Sequence, residues 1–206
     1  MAERFEPMVR GHAERLIPQI DDLMAQSGVD HSAIDLVAVA TGPGTFTGLR
    51  IGLAAARGIA LAIGRPCLGI SSFEVSLHDA HAAATAAWAR DEAVLVVLDS
   101  RRSEYFVQAF LAPHGAAMAP VVAPPVQAAD GVAAPIGLIV GTAAAVAGDA
   151  LRASGLCGRL AVQEALPRAS AVARIARRRW ETGSCPARPP DPTYLRAPDT
   201  GAKAPL

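Results

Sequence analysis

A glycine-rich turn, Thr41-Gly42-Pro43-Gly44-Thr45-Phe46-Thr47-Gly48, limits what this chain can fold into more than any other segment. Before it, Ile34 to Ala40 alternates as a β-strand does. After it, residues 47–63 are rich in Ala and Leu and read as a helix. A tight loop therefore joins a strand to a helix. Gly42 and Gly44 permit positive φ or close backbone approach, and Pro43 fixes one φ between them. Thr45 or Thr47 caps the helix through its hydroxyl. A helix N-terminus with free N–H groups also suits an anion, so Gly42, Gly44, Thr45 and Thr47 form a candidate anion-binding loop. The alternative is a purely structural turn. Leu49 and Arg50 stand where a P-loop needs Lys followed by Ser or Thr, and the glycine spacing is not that of a dinucleotide fingerprint.

The helix after the loop carries a second pattern. Gly48, Gly52, Ala56 and Ala60 recur every four residues and so make one flat helical face. That face packs either inside the molecule or against a partner helix. Upstream, residues 11–27 read as an amphipathic helix through Leu16, Ile17, Ile20, Leu23 and Met24, with Gly28 as its C-terminal cap; Pro18 lies inside the pattern and is expected to kink it or mark a break near its first turn.

Further strands are expected at Cys67–Ile70, at Val94–Asp99 as a buried run, at Glu104–Phe110 as its hairpin partner, and at Leu138–Gly141. Helices are expected over 71–89, capped by Ser71 or Ser72, over 142–153, and over 168–180 with a basic face. Residues 112–136 show no clear period. Strands alternating with helices indicate an α/β fold.

The run GPGTFTGLRIGLAAARGIALA resembles the bacterial TsaB (YeaZ) family. Shorter segments follow the same family pattern in order: Arg10 to Pro18, Ile70-Ser71-Ser72-Phe73-Glu74, Leu98 to Tyr105, and Pro192-Thr193-Tyr194-Leu195-Arg196. The resemblance implies two lobes of the ribonuclease H-like, actin-like ATPase architecture, lacking the usual N-terminal strand hairpin. Residues 1–68 would form the first lobe. Residues 69–180 would form the second, with a C-terminal helix that returns to the first, and 181–206 a Pro-rich tail. Without the hairpin, Ile34–Ala40 would lose its sheet neighbours, and its apolar edge would make the chain poorly soluble when expressed alone.

The resemblance also implies a role. A TsaB-like protein would act as a non-catalytic subunit of the transferase TsaD in making threonylcarbamoyladenosine, beside the anticodon of tRNAs that read codons starting with A. TsaE would complete the assembly, tRNA would be met through the complex, and the same surface would support a homodimer. The interface would use His12, Leu16, Ile20 and Leu23 of the first helix. Gly48, Gly52, Ala56 and Ala60 of the second would give close approach, with Arg50 and Arg57 at the rim. A specific interface of this kind needs roughly 1,600 Å² in total. A bulky residue at Gly52 or Ala56 would then abolish pairing and leave the fold intact.

No cofactor is expected in the chain itself, although ATP or ADP at the complex interface fits the resemblance. The sister transferases carry a His-x-x-x-His metal pair where this chain has Ser72 and Ser76, and hydroxyls bind transition metals poorly. The alternative is a nucleotide-dependent ATPase or kinase on the same fold.

The remaining chemistry is sparse. His78 and His81 are three apart, a spacing more typical of a solvated face than of a metal pair. His114 falls in a loop. Asp99 is expected to cap a turn, with Glu104 pairing to Arg101 or Arg102. Formal net charge is zero, so there is no overall drive toward nucleic acid, and an RNA contact would fall to Arg174, Arg177, Arg178 and Arg179. Cys67, Cys157 and Cys185 show no zinc or CxxC spacing and read as reduced thiols. Met1 to Arg10 carries charges where a signal peptide needs an apolar run, and no stretch reads as a membrane span, so the expected location is the cytoplasm.

Overall fold

The computed structural model describes residues 2–8, 10–83, 91–111, 115–156, 161–164, 166–186 and 188–196. In chain order the elements are α1 (His12–Ser27), a 3-10 turn (His31–Ala33), β1 (Val37–Gly42), α2 (Phe46–Ile63), β2 (Cys67–Ser71) and α3 (Ser72–Ala83). They continue with β3 (Ala93–Asp99), β4 (Tyr105–Leu111), β5 (Gly115–Ala116), β6 (Val121–Ala123), α4 (Pro125–Asp130), β7 (Ile136–Gly141), α5 (Ala144–Ala153), β8 (Ala161–Glu164) and α6 (Ala169–Glu181).

The strands form two sheets. One holds β1 and β2 in parallel, and the other runs β5-β4-β3-β7-β8 with β6 also paired to β4. In the larger sheet β3 lies antiparallel to β4 and parallel to β7. Its alternation sorts the core. Val94, Val96 and Leu98 face α3 with Phe73 and Leu77. Ala93, Leu95 and Val97 face α4 and α5 with Ala128, Ala144, Ala147 and Leu151. Every residue from Ala93 to Leu98 is buried, as a strand covered on both faces requires.

The smaller sheet is covered differently on its two faces. Val37, Val39 and Cys67 pack on Ala56 and Ala60 of α2. Ala38, Ala40, Leu68 and Ile70 pack on Ala171, Val172, Ile175 and Ala176 of α6, which also meet Val75 of α3. So α6 returns to the first sheet, and α3 with α6 forms the layer between the sheets.

Several boundaries differ from the sequence reading. The first strand begins at Val37, because Asp30 accepts from the Ser32 N–H at 2.8 Å and winds His31–Ala33 into a 3-10 turn. Residues 112–136, which have no period, hold three short elements that are set by pairing to β4 and by packing on α5. The strand Ala161–Glu164 was not legible, since it is only four residues long and is fixed by β7. The helix expected over 71–89 is described to Ala83, and residues 84–90 lie outside the described residues.

β1 keeps one neighbour rather than losing all of them. The Val37 N–H donates to the Pro66 carbonyl at 3.0 Å, so odd-numbered residues point toward β2 and alternation turns the backbone of Ala38 and Ala40 outward. No strand among the described residues covers that outer edge.

Candidate functional site

The glycine turn is built around close contacts. Gly42 has φ of 107°, and a Cβ there would lie 2.9 Å from Leu49 Cδ1 and 3.0 Å from the Thr193 carbonyl oxygen. The Gly42–Pro43 peptide is cis. Thr45, not Thr47, caps α2: its Oγ1 accepts the Gly48 N–H at 3.3 Å. A Cβ on Gly48 would come within 2.7 Å of that hydroxyl, which accounts for glycine at this position. The cap therefore uses one of the N–H groups that an anion would need. Thr47 stays exposed on the first turn, and Gly44 meets only ordinary contacts.

Residues from the other end of the chain close over this turn. The Thr193 N–H donates to the Thr41 carbonyl at 2.8 Å. The Tyr194 ring lies 5.1 Å from Phe46, and its hydroxyl accepts from Arg50 Nε at 3.2 Å. The Arg50 guanidinium sits 3.8 Å from the Phe46 centroid on the same stack. Arg57 donates to the Pro190 carbonyl at 3.0 Å and pairs with Asp191 at 2.6 Å. The segment expected as a Pro-rich tail is thus anchored as far as Arg196. A cleft of about 330 Å³ lies between the turn (Pro43, Thr45, Phe46), the β3–β4 connection (Ser100, Arg101) and Tyr194. In that connection Asp99 accepts the Arg101 N–H at 2.7 Å, as expected of a turn cap. Glu104, however, pairs with Arg196 rather than with Arg101, which turns back to Asp99.

The residues expected at a partner interface do not share one outward face. Ala56 and Ala60 are buried against β1 and β2, and a Cβ on Gly52 would lie 3.7 Å from Val39. The small-residue stripe packs on the chain's own sheet, because α2 needs a thin face to approach β1 closely. Bulky residues at Ala56 would strike the core. Leu16 and Ile20 of α1 converge with Gly52 and Ala56 along β1 in a groove of about 900 Å³, closed on its far side by Val172 and Ala176 of α6. Leu23 is half-buried on the same helix. His12 and Gly48 meet at a separate depression of about 670 Å³ with Thr45, Thr47 and Ile51. Arg50 and Arg57 are held by the C-terminal segment.

The outward face of α2 is instead Thr47, Arg50, Ala54, Gly58 and Leu61, the last 84% exposed. Sequence reasoning missed it because two small-residue repeats, offset by two positions, run along the same helix. Beside it, α1 carries an apolar stripe without a single buried residue. Although α2 is 18 residues long and apolar enough by composition to cross a bilayer, contrary to the sequence reading, Leu49, Leu53, Ala56 and Ala60 pack it on β1 and β2.

Residues 6–128 match the family model for TsaD, tRNA N6-adenosine threonylcarbamoyltransferase. The chain belongs to this family. Its TsaB (YeaZ) character is carried by curated relatives and by solved structures. It is 35% identical over 104 residues to the tRNA threonylcarbamoyladenosine biosynthesis protein TsaB of Escherichia coli, covering 50% of this chain and 42% of that protein. The Haemophilus influenzae TsaB is 36% identical over 100 residues, 48% of this chain and 40% of that one. A tRNA N6-adenosine threonylcarbamoyltransferase of Erythrobacter litoralis is 42% identical over 69 residues, 34% of this chain and 20% of that protein. These alignments span less than half the length of each curated relative. YeaZ from Pseudomonas aeruginosa superposes with a TM-score of 0.71 at 27% identity, over 93% of this chain and 88% of that one. The two-lobed actin-like fold is therefore that of the YeaZ structures.

The two positions at which the resemblance would put a transferase metal pair fall on α3. Ser72 and Ser76 sit there one turn apart, 7% and 1% exposed, and the Ser76 Oγ has no hydrogen-bond partner. Two buried hydroxyls do not fit a transition metal. Nearby, the His78 Nδ1 is 3.7 Å from an Asp79 carboxylate oxygen. Burial pushes the Asp79 pKa up, and its His78 neighbour partly offsets that. The His81 side chain, His114 and Cys157 lie outside the described residues. The arginines of α6 do not form one free cluster: Arg177 pairs with Glu181 at 2.8 Å and Arg179 pairs with Glu74, which leaves Arg174 and Arg178 on the exposed face.

Proposed function

We propose that this chain is a non-catalytic subunit of threonylcarbamoyladenosine synthesis. It binds a TsaD transferase and supports transfer of the threonylcarbamoyl group to the adenosine beside the anticodon in tRNAs that read codons starting with A. The observation that carries this reading is α1, a sixteen-residue helix with a strong apolar stripe and no buried residue, packed beside α2, whose own outward face exposes Ala54, Gly58 and Leu61. Apolar helix faces of this kind are what one subunit offers another. The buried serines on α3 support the non-catalytic assignment, because they supply no ligand set for the transferase's chemistry.

In this reading TsaE joins the same complex, tRNA is reached through the complex, and ATP or ADP sits at its interface rather than in this chain alone. The same helix faces are available for a homodimer, and the work is done in the cytoplasm. The test is mass spectrometry of tRNA nucleosides from cells depleted of this protein and complemented with the wild type or with Gly58→Trp. Loss of threonylcarbamoyladenosine on depletion, restored by the wild type and not by the variant, is the expected result. An unchanged nucleoside level on depletion overturns the assignment. Full rescue by Gly58→Trp overturns the face.

A further inference from the structure

We propose that Pro190–Arg196 is a releasable latch that joins the two lobes, with its two ends coupled so that freeing one frees the other. The anchors fall on both sides of a single peptide bond. On the first-lobe side, Arg57 holds the Pro190 carbonyl and Asp191, the Thr193 N–H is bonded to Thr41, and Tyr194 stacks on Phe46 under Arg50. On the other side, Leu195 packs against the α3 face of the larger sheet, among the core residues that include Phe73 and Phe106. Arg196 then pairs with Glu104, whose backbone carbonyl accepts from the Ser100 hydroxyl and so ties the latch to the β3–β4 connection.

The bed of the latch is shaped for it. A Cβ at Gly69 would lie 2.5 Å from Pro190 Cβ, and one at Gly42 would lie 3.0 Å from the Thr193 carbonyl oxygen. Side chains at these two positions would lift the segment away. Its hold is nevertheless made of separable pieces. The segment has no ladder of backbone hydrogen bonds: Thr193 to Thr41 is its one backbone–backbone bond among the described residues. Asp191 is 89% exposed, so its ion pair is screened.

The coupling follows from reach. Thr193 and Arg196 are three residues apart, a span of roughly 10 Å at full extension. The lobes cannot separate at this edge by more than the remaining slack without breaking one anchor, and while one end is held the other stays at high effective concentration beside its partner, so freeing one end weakens the hold on the other. When closed, the latch walls the cleft beside the glycine turn and occupies Arg50 and Arg57, the two cations of α2. When open, it uncovers both. The consequence for docking, that a partner on α2 selects one latch state, rests on the functional reading above; the latch itself does not.

Hydrogen exchange of the isolated chain, read by mass spectrometry, tests it. Arg57→Gln cuts the first-lobe end and Glu104→Gln cuts the second. Arg57→Gln is expected to speed exchange about five- to tenfold not only at 190–196 but also at 99–105, on the far lobe. Glu104→Gln should do the same at 41–47. That factor corresponds to losing one ordinary hydrogen bond or ion pair. Exchange in β3 serves as the folding control. A third variant with two glycines inserted between Tyr194 and Leu195 keeps every anchor but adds slack, and should abolish the cross-lobe effect. Exchange that rises only at the cut end, or cross-lobe coupling that survives the insertion, overturns the latch. Either result leaves TsaD binding untouched. Failure to bind TsaD with cross-lobe coupling intact removes the docking role and leaves the latch.

Discussion

Gly58 separates the two small-residue repeats on α2 by experiment. It lies in the interior of an 18-residue helix, it is exposed, and a Cβ built on it meets nothing within 4 Å. Nothing in the folded chain requires glycine there. Alanine in its place restores helix propensity and lowers the entropy of the unfolded state, which together stabilise by about 0.5–1 kcal/mol. For a chain of this length that is a rise in Tm of roughly 1–4 °C. Gly58→Trp keeps the same backbone and projects an indole into open space, so the isolated protein should melt close to the wild type. Any surface that approaches α2 at Gly58 within helix-packing distance is blocked by it. Calorimetric melting of the three proteins, together with titration into a purified TsaD partner, reads both effects. The expected pattern is a higher Tm for Gly58→Ala with binding retained, and an unchanged Tm for Gly58→Trp with binding reduced at least tenfold. A lower Tm for Gly58→Ala would mean that glycine is structurally required. Full affinity of Gly58→Trp would move the docking surface off this face.

Ala56→Trp should behave in the opposite way, because Ala56 is 6% exposed against Val37, Val39 and Cys67. Overpacking should cost about 1–3 kcal/mol or more, read as a lower Tm in the absence of any partner. Gly69→Ala drives a methyl into Pro190 and Thr41 and should cost a similar amount, with faster exchange of the Thr193 amide as its specific mark. Asp79 has a raised folded pKa, so its contribution favours folding at low pH and is lost as pH rises from the ordinary carboxylate range through the folded value. Asp79→Asn should therefore raise Tm at pH 8, with the advantage shrinking toward pH 4. Burial also raises the Cys67 thiol, so in the native protein it should react with iodoacetamide far more slowly than the half-exposed Cys185.

The long elements could be read from the sequence where local chemistry and burial agree. The helix stop at Gly28, the Thr45 cap, the buried run of β3 and its hairpin with β4 each follow from residues within a few positions of one another. Reading failed where a distant contact decides the outcome. Nothing near Ala161 announces a strand, since β7 supplies the hydrogen bonds. Nothing near Glu104 points to Arg196, ninety-two residues later. Helical periodicity marked the repeat at Gly52, Ala56 and Ala60 as special, and it is, but periodicity cannot say whether the thin face meets a partner or the chain's own sheet. The signal that would have decided it was available: Ala54, Gly58 and Ala62 repeat the same spacing two positions on, and a helix that buries one side must expose the other. The Pro-Thr-Tyr-Leu-Arg motif carries only a family resemblance in the sequence, and its physical role is set by contacts with distant residues.

Ser72 and Ser76 bear on how a scaffold outlives a site. They occupy the side of α3 that the layer between the two sheets buries, and neither sheet depends on their hydroxyls; the Ser76 Oγ has no partner at all. An unpaired buried hydroxyl is destabilising by about 1–3 kcal/mol, so alanine at Ser76 should be tolerated or favourable. The two lobes can therefore remain intact with or without metal chemistry on α3, because their cores lie on the sheet faces and the joint between them is made by α3, α6 and the C-terminal segment. What such a chain still offers is rigid external geometry: two adjacent helices whose outward faces have no internal use. Under the proposed function, that geometry is what a partner subunit meets.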